Sequence, residues 1–152
     1  SAEKSLPQNR LALWQLGFRP FFLFGALYSC GAILYWLLHL RGHAGLPSYF
    51  SPAIWHSHEM LFGFIGAIIA GFVLTASQNW VGRRGVYGLP LQILFALWIF
   101  ARALALVPGA DWAFAVVDNL FWPMLAFLLL PFFRVPTQKH NRVFFVFFAL
   151  LD

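Results

Sequence analysis

Long apolar stretches alternate with short polar or glycine-rich breaks along this chain. Apolar residues dominate from Phe18 to Leu40, Ala53 to Ala76, Leu89 to Val107 and Trp112 to Phe133. Each stretch approaches or exceeds the roughly 18–20 residues that a helix needs to cross a hydrocarbon layer. A fifth begins at Val143 and stops at Leu151-Asp152; about nine apolar residues are too few for a helical crossing. The pattern predicts an all-α polytopic transmembrane helix bundle with four complete spans and the start of a fifth. The chain therefore reads as the N-terminal part of a longer protein, with remaining C-terminal helices of the same protein as partners. Residues 1–15 read as an N-terminal tail and 16–152 as one transmembrane helical domain.

The breaks carry their own signals. Gly17-Phe18-Arg19-Pro20 leads into span one, where a proline is tolerated in the first helical turn. Ser51-Pro52 reads as an N-cap followed by proline at the first position of span two. Gly82, Gly85 and Gly88 mark a tight turn between spans two and three, and Pro108-Gly109 separates span three from span four. Span one is too long and too aromatic for a cleaved leader, and no small-residue cleavage site follows it.

Composition agrees with a bilayer environment. Residues are 61% hydrophobic and 10% charged, against roughly 25% charged in a typical soluble domain. The net charge of +5 raises nucleic acid as a partner, but the cations sit where membrane topology needs them. Lys4, Arg10 and Arg19 precede span one, Arg83 and Arg84 lie between spans two and three, and Arg134, Lys139 and Arg142 follow span four. Cytoplasmic loops collect Lys and Arg, so the N-terminus is expected in the cytoplasm, with basic loops facing membrane lipid. No nucleic-acid motif, phosphate-binding loop or Ser-His-Asp arrangement is present. Cys30, the only cysteine, reads as a small buried hydrophobe in mid-span. Trp36, Trp55, Trp80 and Trp112 fall near the expected interfaces and read as membrane anchors.

Candidate chemistry concentrates in Trp55-His56-Ser57-His58-Glu59-Met60. Ionisable groups inside a span are expensive and usually hold something. In a regular helix His56 shares a face with Glu59, Met60, Gly63, Ala67 and Gly71, whereas His58 lies about 200° away beside Phe62. The two imidazoles then serve different partners unless the first turn is unwound. Gly63, Ala67 and Gly71 form a stripe of small residues that admits a close helix neighbour. At about 1.5 Å per residue, Glu59, Arg102 and Asp118 sit at a similar depth from the outer ends of spans two, three and four. They read either as an ion-pair network between helices or as the wall of a cofactor pocket, with Arg102 facing an anionic group. His56 and His58 read either as hydrogen-bonded interfacial residues or as metal or haem ligands. His39 and His43 read as surface residues at the end of span one. A relay through Glu59 and Asp118 would make a proton- or ion-coupled transporter or channel, and a His39–His56 pair would suit a quinol-linked di-haem cytochrome.

Several stretches together resemble the N-terminal part of the NnrS family of bacterial membrane proteins. These are Leu16-Gly17-Phe18-Arg19-Pro20-Phe21-Phe22, the block from Trp55 to Phe64, Ala70-Gly71-Phe72-Val73-Leu74-Thr75-Ala76, Asn79-Trp80-Val81-Gly82-Arg83, and Pro90 to Arg102. The resemblance implies an integral protein of the cytoplasmic membrane with bound haem and copper. It also implies a role in the response to nitric oxide and nitrosative stress, often beside denitrification. The resemblance carries over His56 and His58 alone as candidate metal ligands; the chemistry of the polar layer adds Glu59 and Arg102 as expected cofactor-site residues, and a redox partner is unknown.

Overall fold

The computed structural model describes residues 12–45 and 51–133. Most of the expected tail, the fifth span, and the basic positions Lys4, Arg10, Arg134, Lys139, His140 and Arg142 lie outside the described residues. A 3-10 turn, Ala12–Gln15, precedes four helices. Helix α1 is Phe18–Leu40. Helix α2 runs continuously over Pro52–Val81, α3 over Leu89–Leu104 and α4 over Asp111–Phe133. Helices α1, α2 and α4 are long and apolar enough to cross a membrane. Helix α3 is shorter than the predicted span. It has 16 residues and ends at Leu104 rather than Val107, because the chain turns from Ala105 into Pro108 and a left-handed Gly109 at φ 79°.

The turn signals act as their chemistry dictates. Pro52 occupies the start of α2 after an extended Ser51, although the serine side chain makes no capping bond. Helix α2 runs past the expected Ala76 to Val81 and ends at Gly82, whose φ of 64° only glycine adopts without strain. The Gly88 N–H donates to the Trp14 carbonyl at 2.9 Å, so the Ala12–Gln15 turn lies beside the α2–α3 turn.

Lipid supplies no hydrophobic force between helices, so close packing has to hold them. Small residues make that possible. Ala67 on α2 faces Gly25 on α1, where a Cβ would already approach Ala67 to 3.2 Å. At Gly71 a Cβ would come within 2.9 Å of the Phe22 ring. Helix α1 thus lies directly on the predicted small-residue stripe. Phe21, fully buried, is ringed edge-on by Phe95, Trp98 and Phe121 with centroids 5.6 to 6.2 Å away. The outward faces keep large apolar side chains exposed, among them Leu27, Leu34 and Phe127, as a lipid-facing surface requires. Cys30 is exposed on this outer surface rather than buried. Trp55 is 2% exposed and packs inside the bundle, so it is no membrane anchor; Trp112 is 80% exposed.

Candidate functional site

The middle of α2 departs from α-helical winding. Residues Glu59–Ile65 form a π-helix between α-helical Pro52–His58 and Gly66–Val81. The Gly66 N–H reaches back to the Leu61 carbonyl, five residues away. Wider winding rotates the residues that follow, and such segments recur at functional sites. Helix α3 supplies the complementary contact. Trp98 and Arg102, one turn apart, face Gly63 and Glu59, also one turn apart. The Trp98 indole N–H donates to the Gly63 carbonyl at 2.9 Å, and Arg102 Nη1 donates to Glu59 Oε2 at 2.9 Å.

All four helices contribute to one buried polar cluster. Arg102, 4% exposed, also donates from Nη2 to Asp118 of α4. The Tyr28 hydroxyl of α1 donates to Glu59, itself 1% exposed. His58 bridges the two acids, with Nδ1 3.2 Å from Glu59 Oε1 and Nε2 3.2 Å from Asp118 Oδ2. Phe114 closes the cluster on one side, with the guanidinium carbon 5.9 Å from its ring centre and the His58 ring 5.4 Å away edge-on. Gly63 is required here: a Cβ would sit 2.8 Å from Tyr28 Cε1 and 3.0 Å from both Arg102 Nη1 and Glu59 Oε2.

Both His58 ring nitrogens lie within hydrogen-bond distance of carboxylate oxygens, which act only as acceptors when ionised, so the imidazole links the acid of α2 to the acid of α4.

The sequence-predicted residues thus separate. Glu59, Arg102, Asp118 and His58 meet in one cluster, while His56 lies elsewhere. The His56 ring stacks on Trp36 of α1 with centroids 4.7 Å apart and planes 12° apart. Its Nδ1 is buried and has no hydrogen-bond partner among the described residues. Trp36 also stacks on His39, whose Nδ1 bonds the Ala44 carbonyl at 3.0 Å.

Fit to a metal follows from these placements. His58 commits both ring nitrogens to carboxylates, and Arg102 commits both terminal nitrogens. Among the described residues no group of three or more His, Cys, Asp or Glu side chains converges as a metal site. Among the described residues His56 alone offers a buried imidazole nitrogen without a partner, and it would be able to serve as a single ligand to a haem iron or a copper ion. Tyr28, Gly63, Trp98 and Phe114 are site residues that sequence reasoning did not single out for the cluster. The four-residue offset between Trp98 and Arg102 was the available signal.

Comparisons with curated proteins and with solved structures gave no match. A family model described as NnrS protein matches residues 12–151, nearly the whole chain, so this protein belongs to the NnrS family.

Proposed function

We propose that this chain belongs to a haem- and copper-containing protein of the bacterial cytoplasmic membrane that serves the response to nitric oxide and nitrosative stress. Family membership supports the class of function. The observation that carries the site assignment is the unpartnered, buried His56 Nδ1. A buried polar atom without a partner is costly, and such an atom calls for a ligand that completes it. His56 would hold the group as an imidazole ligand, and Trp36 sets the plane of its ring. A haem iron or copper ion supplies a centre that binds nitric oxide or exchanges an electron.

The neighbouring cluster is a scaffold in this reading. Arg102 fixes Glu59 and Asp118, and His58 ties both acids to α2. These are positioning residues, and they hold the π-wound segment that follows His56 in the chain. An N-terminus in the cytoplasm is part of the proposal. Arg19 and the exposed Arg83 and Arg84 share the end of the bundle where Gly88 meets Trp14.

Optical redox spectra and copper analysis of the full-length protein purified from membranes test the reading. A haem Soret band that shifts on reduction and on exposure to nitric oxide is expected, together with bound copper. Colourless, metal-free protein would contradict it.

A further inference from the structure

Asn119 stands exposed on the outward face of α4, beside Val116 and Leu120 at 40 and 51% exposure and one turn before the exposed Pro123. At about 1.5 Å per residue it lies roughly 12 Å along a helix of roughly 33 Å, inside a hydrocarbon layer of about 30 Å. Its neighbour Asp118 turns inward to Arg102 and His58, so the buried cluster leaves Asn119 out. We propose that this face of α4 is a dimer interface, in which Asn119 pairs with its counterpart in a second copy of the chain across a two-fold axis.

Two polar groups on this face lack what a helix normally supplies. The Asn119 side chain donates from Nδ2 to the Ala115 carbonyl at 2.8 Å. One amide hydrogen and the acceptor oxygen Oδ1 remain without a bond among the described residues. Pro123 has no N–H, so it cannot donate to the Asn119 backbone carbonyl four residues earlier. No water in the hydrocarbon replaces these bonds, and a neighbouring helix is the usual source of partners.

Depth and the chemistry of the amide select the occupant. Copies of one chain insert with the same topology. A two-fold axis along the membrane normal therefore sets each residue beside it against its own counterpart at equal depth. A lysine or an ionised aspartate there would repel its counterpart. An asparagine complements itself, because each Nδ2–H can donate to the other copy's Oδ1. A single interfacial asparagine also fixes register and oligomeric state in paired helices. Residues 143–151, the next apolar stretch of this chain, contain only Val, Phe, Ala and Leu, so no side chain there can answer the amide. The proposal is independent of the haem and copper reading, because it uses no residue of that site.

The test uses full-length protein in its membranes, with Asn119→Cys as the sole cysteine. Oxidation by diamide should join two chains into a product of twice the monomer mass, because a two-fold contact brings the thiols within disulfide reach. Val116→Cys, one turn away with the asparagine intact, is read the same way. A protein that keeps Cys30 of α1 as its sole cysteine should give no such product. Energy transfer between labelled copies diluted in phosphatidylcholine vesicles then reads the affinity. Asn119→Leu should weaken it about five- to thirtyfold, the equivalent of roughly 1–2 kcal/mol, while the monomer melts where the parent does. Asn119→Gln keeps donor and acceptor and should recover most of the affinity. Absence of a dimer in both assays, a cross-linked product of another mass, or unchanged affinity in Asn119→Leu overturns the proposal. So does a lower melting point of monomeric Asn119→Leu, which would mean that another helix of the same chain covers the amide.

Discussion

Replacing Arg102 by methionine tests the cluster most severely. The guanidinium is 4% exposed and touches Glu59 at 1% and Asp118 at 15% exposure. Methionine has a similar length and no charge, so the change removes both ion pairs while filling much of the space. Two carboxylates then remain with only His58 between them. Breaking a buried ion pair by removing one partner costs about 3–5 kcal/mol, which moves the folding equilibrium by roughly two to three and a half decades. The cost arises from the charges left behind more than from the bond lost. A Glu59→Gln, Arg102→Met, Asp118→Asn protein should therefore recover most of the stability, because apolar or neutral replacement of a whole buried ionic set is often nearly neutral. Unfolding in mixed micelles of increasing SDS content measures the effect, with the exposed Arg83→Met as control. An Arg102→Met curve that overlays the control, or a triple variant as unstable as the single, would refute the reasoning.

Other substitutions probe the parts that build the cluster. Gly63→Ala drives a Cβ into Tyr28 and Arg102 and should cost about 1–3 kcal/mol, whereas Gly31→Ala meets nothing and should gain up to about 1 kcal/mol from helix propensity; paired melting curves decide. Trp98→Phe removes the indole donor from the Gly63 carbonyl, which keeps the Gly66 N–H, for an expected loss of about 0.5–1.5 kcal/mol in the same unfolding assay. Cys30 faces outward in mid-span, so a membrane-impermeant maleimide should label it only after the bilayer is dissolved. Labelling in intact membranes, read by mass shift, would place α1 outside the lipid.

Much of the architecture was legible because it follows from local rules. Apolar run length marked α1 from Phe18 to Leu40, and glycine chemistry marked the turns at Gly82 and Gly109. Spacing also identified the Gly63–Ala67–Gly71 stripe on which α1 packs. The π-wound segment was not legible. A 3.6-residue period describes a regular helix, and the departure at Glu59–Ile65 coincides with tertiary contacts from Trp98 and Arg102 of another helix. The same limit hid the burial of Trp55, since proximity to an expected interface says nothing about the face a side chain occupies. Cys30 was misjudged for the related reason that, in a uniformly apolar span, polarity does not mark the inner face. Helical angle did separate His56 from His58. Which of them keeps a nitrogen unpartnered depends on Asp118 and Trp36, residues on two other helices.

The central claim concerns His56 as the imidazole that this part of the chain offers to a metal centre. Resonance Raman and EPR spectra of the full-length protein, compared with His56→Gly and His58→Gly variants, test it most directly. The account predicts that His56→Gly loses the signature of one imidazole ligand and that added free imidazole restores it. His58→Gly should leave that signature in place while lowering stability. Spectra unchanged in His56→Gly, or a ligand signature lost only in His58→Gly, would contradict the account.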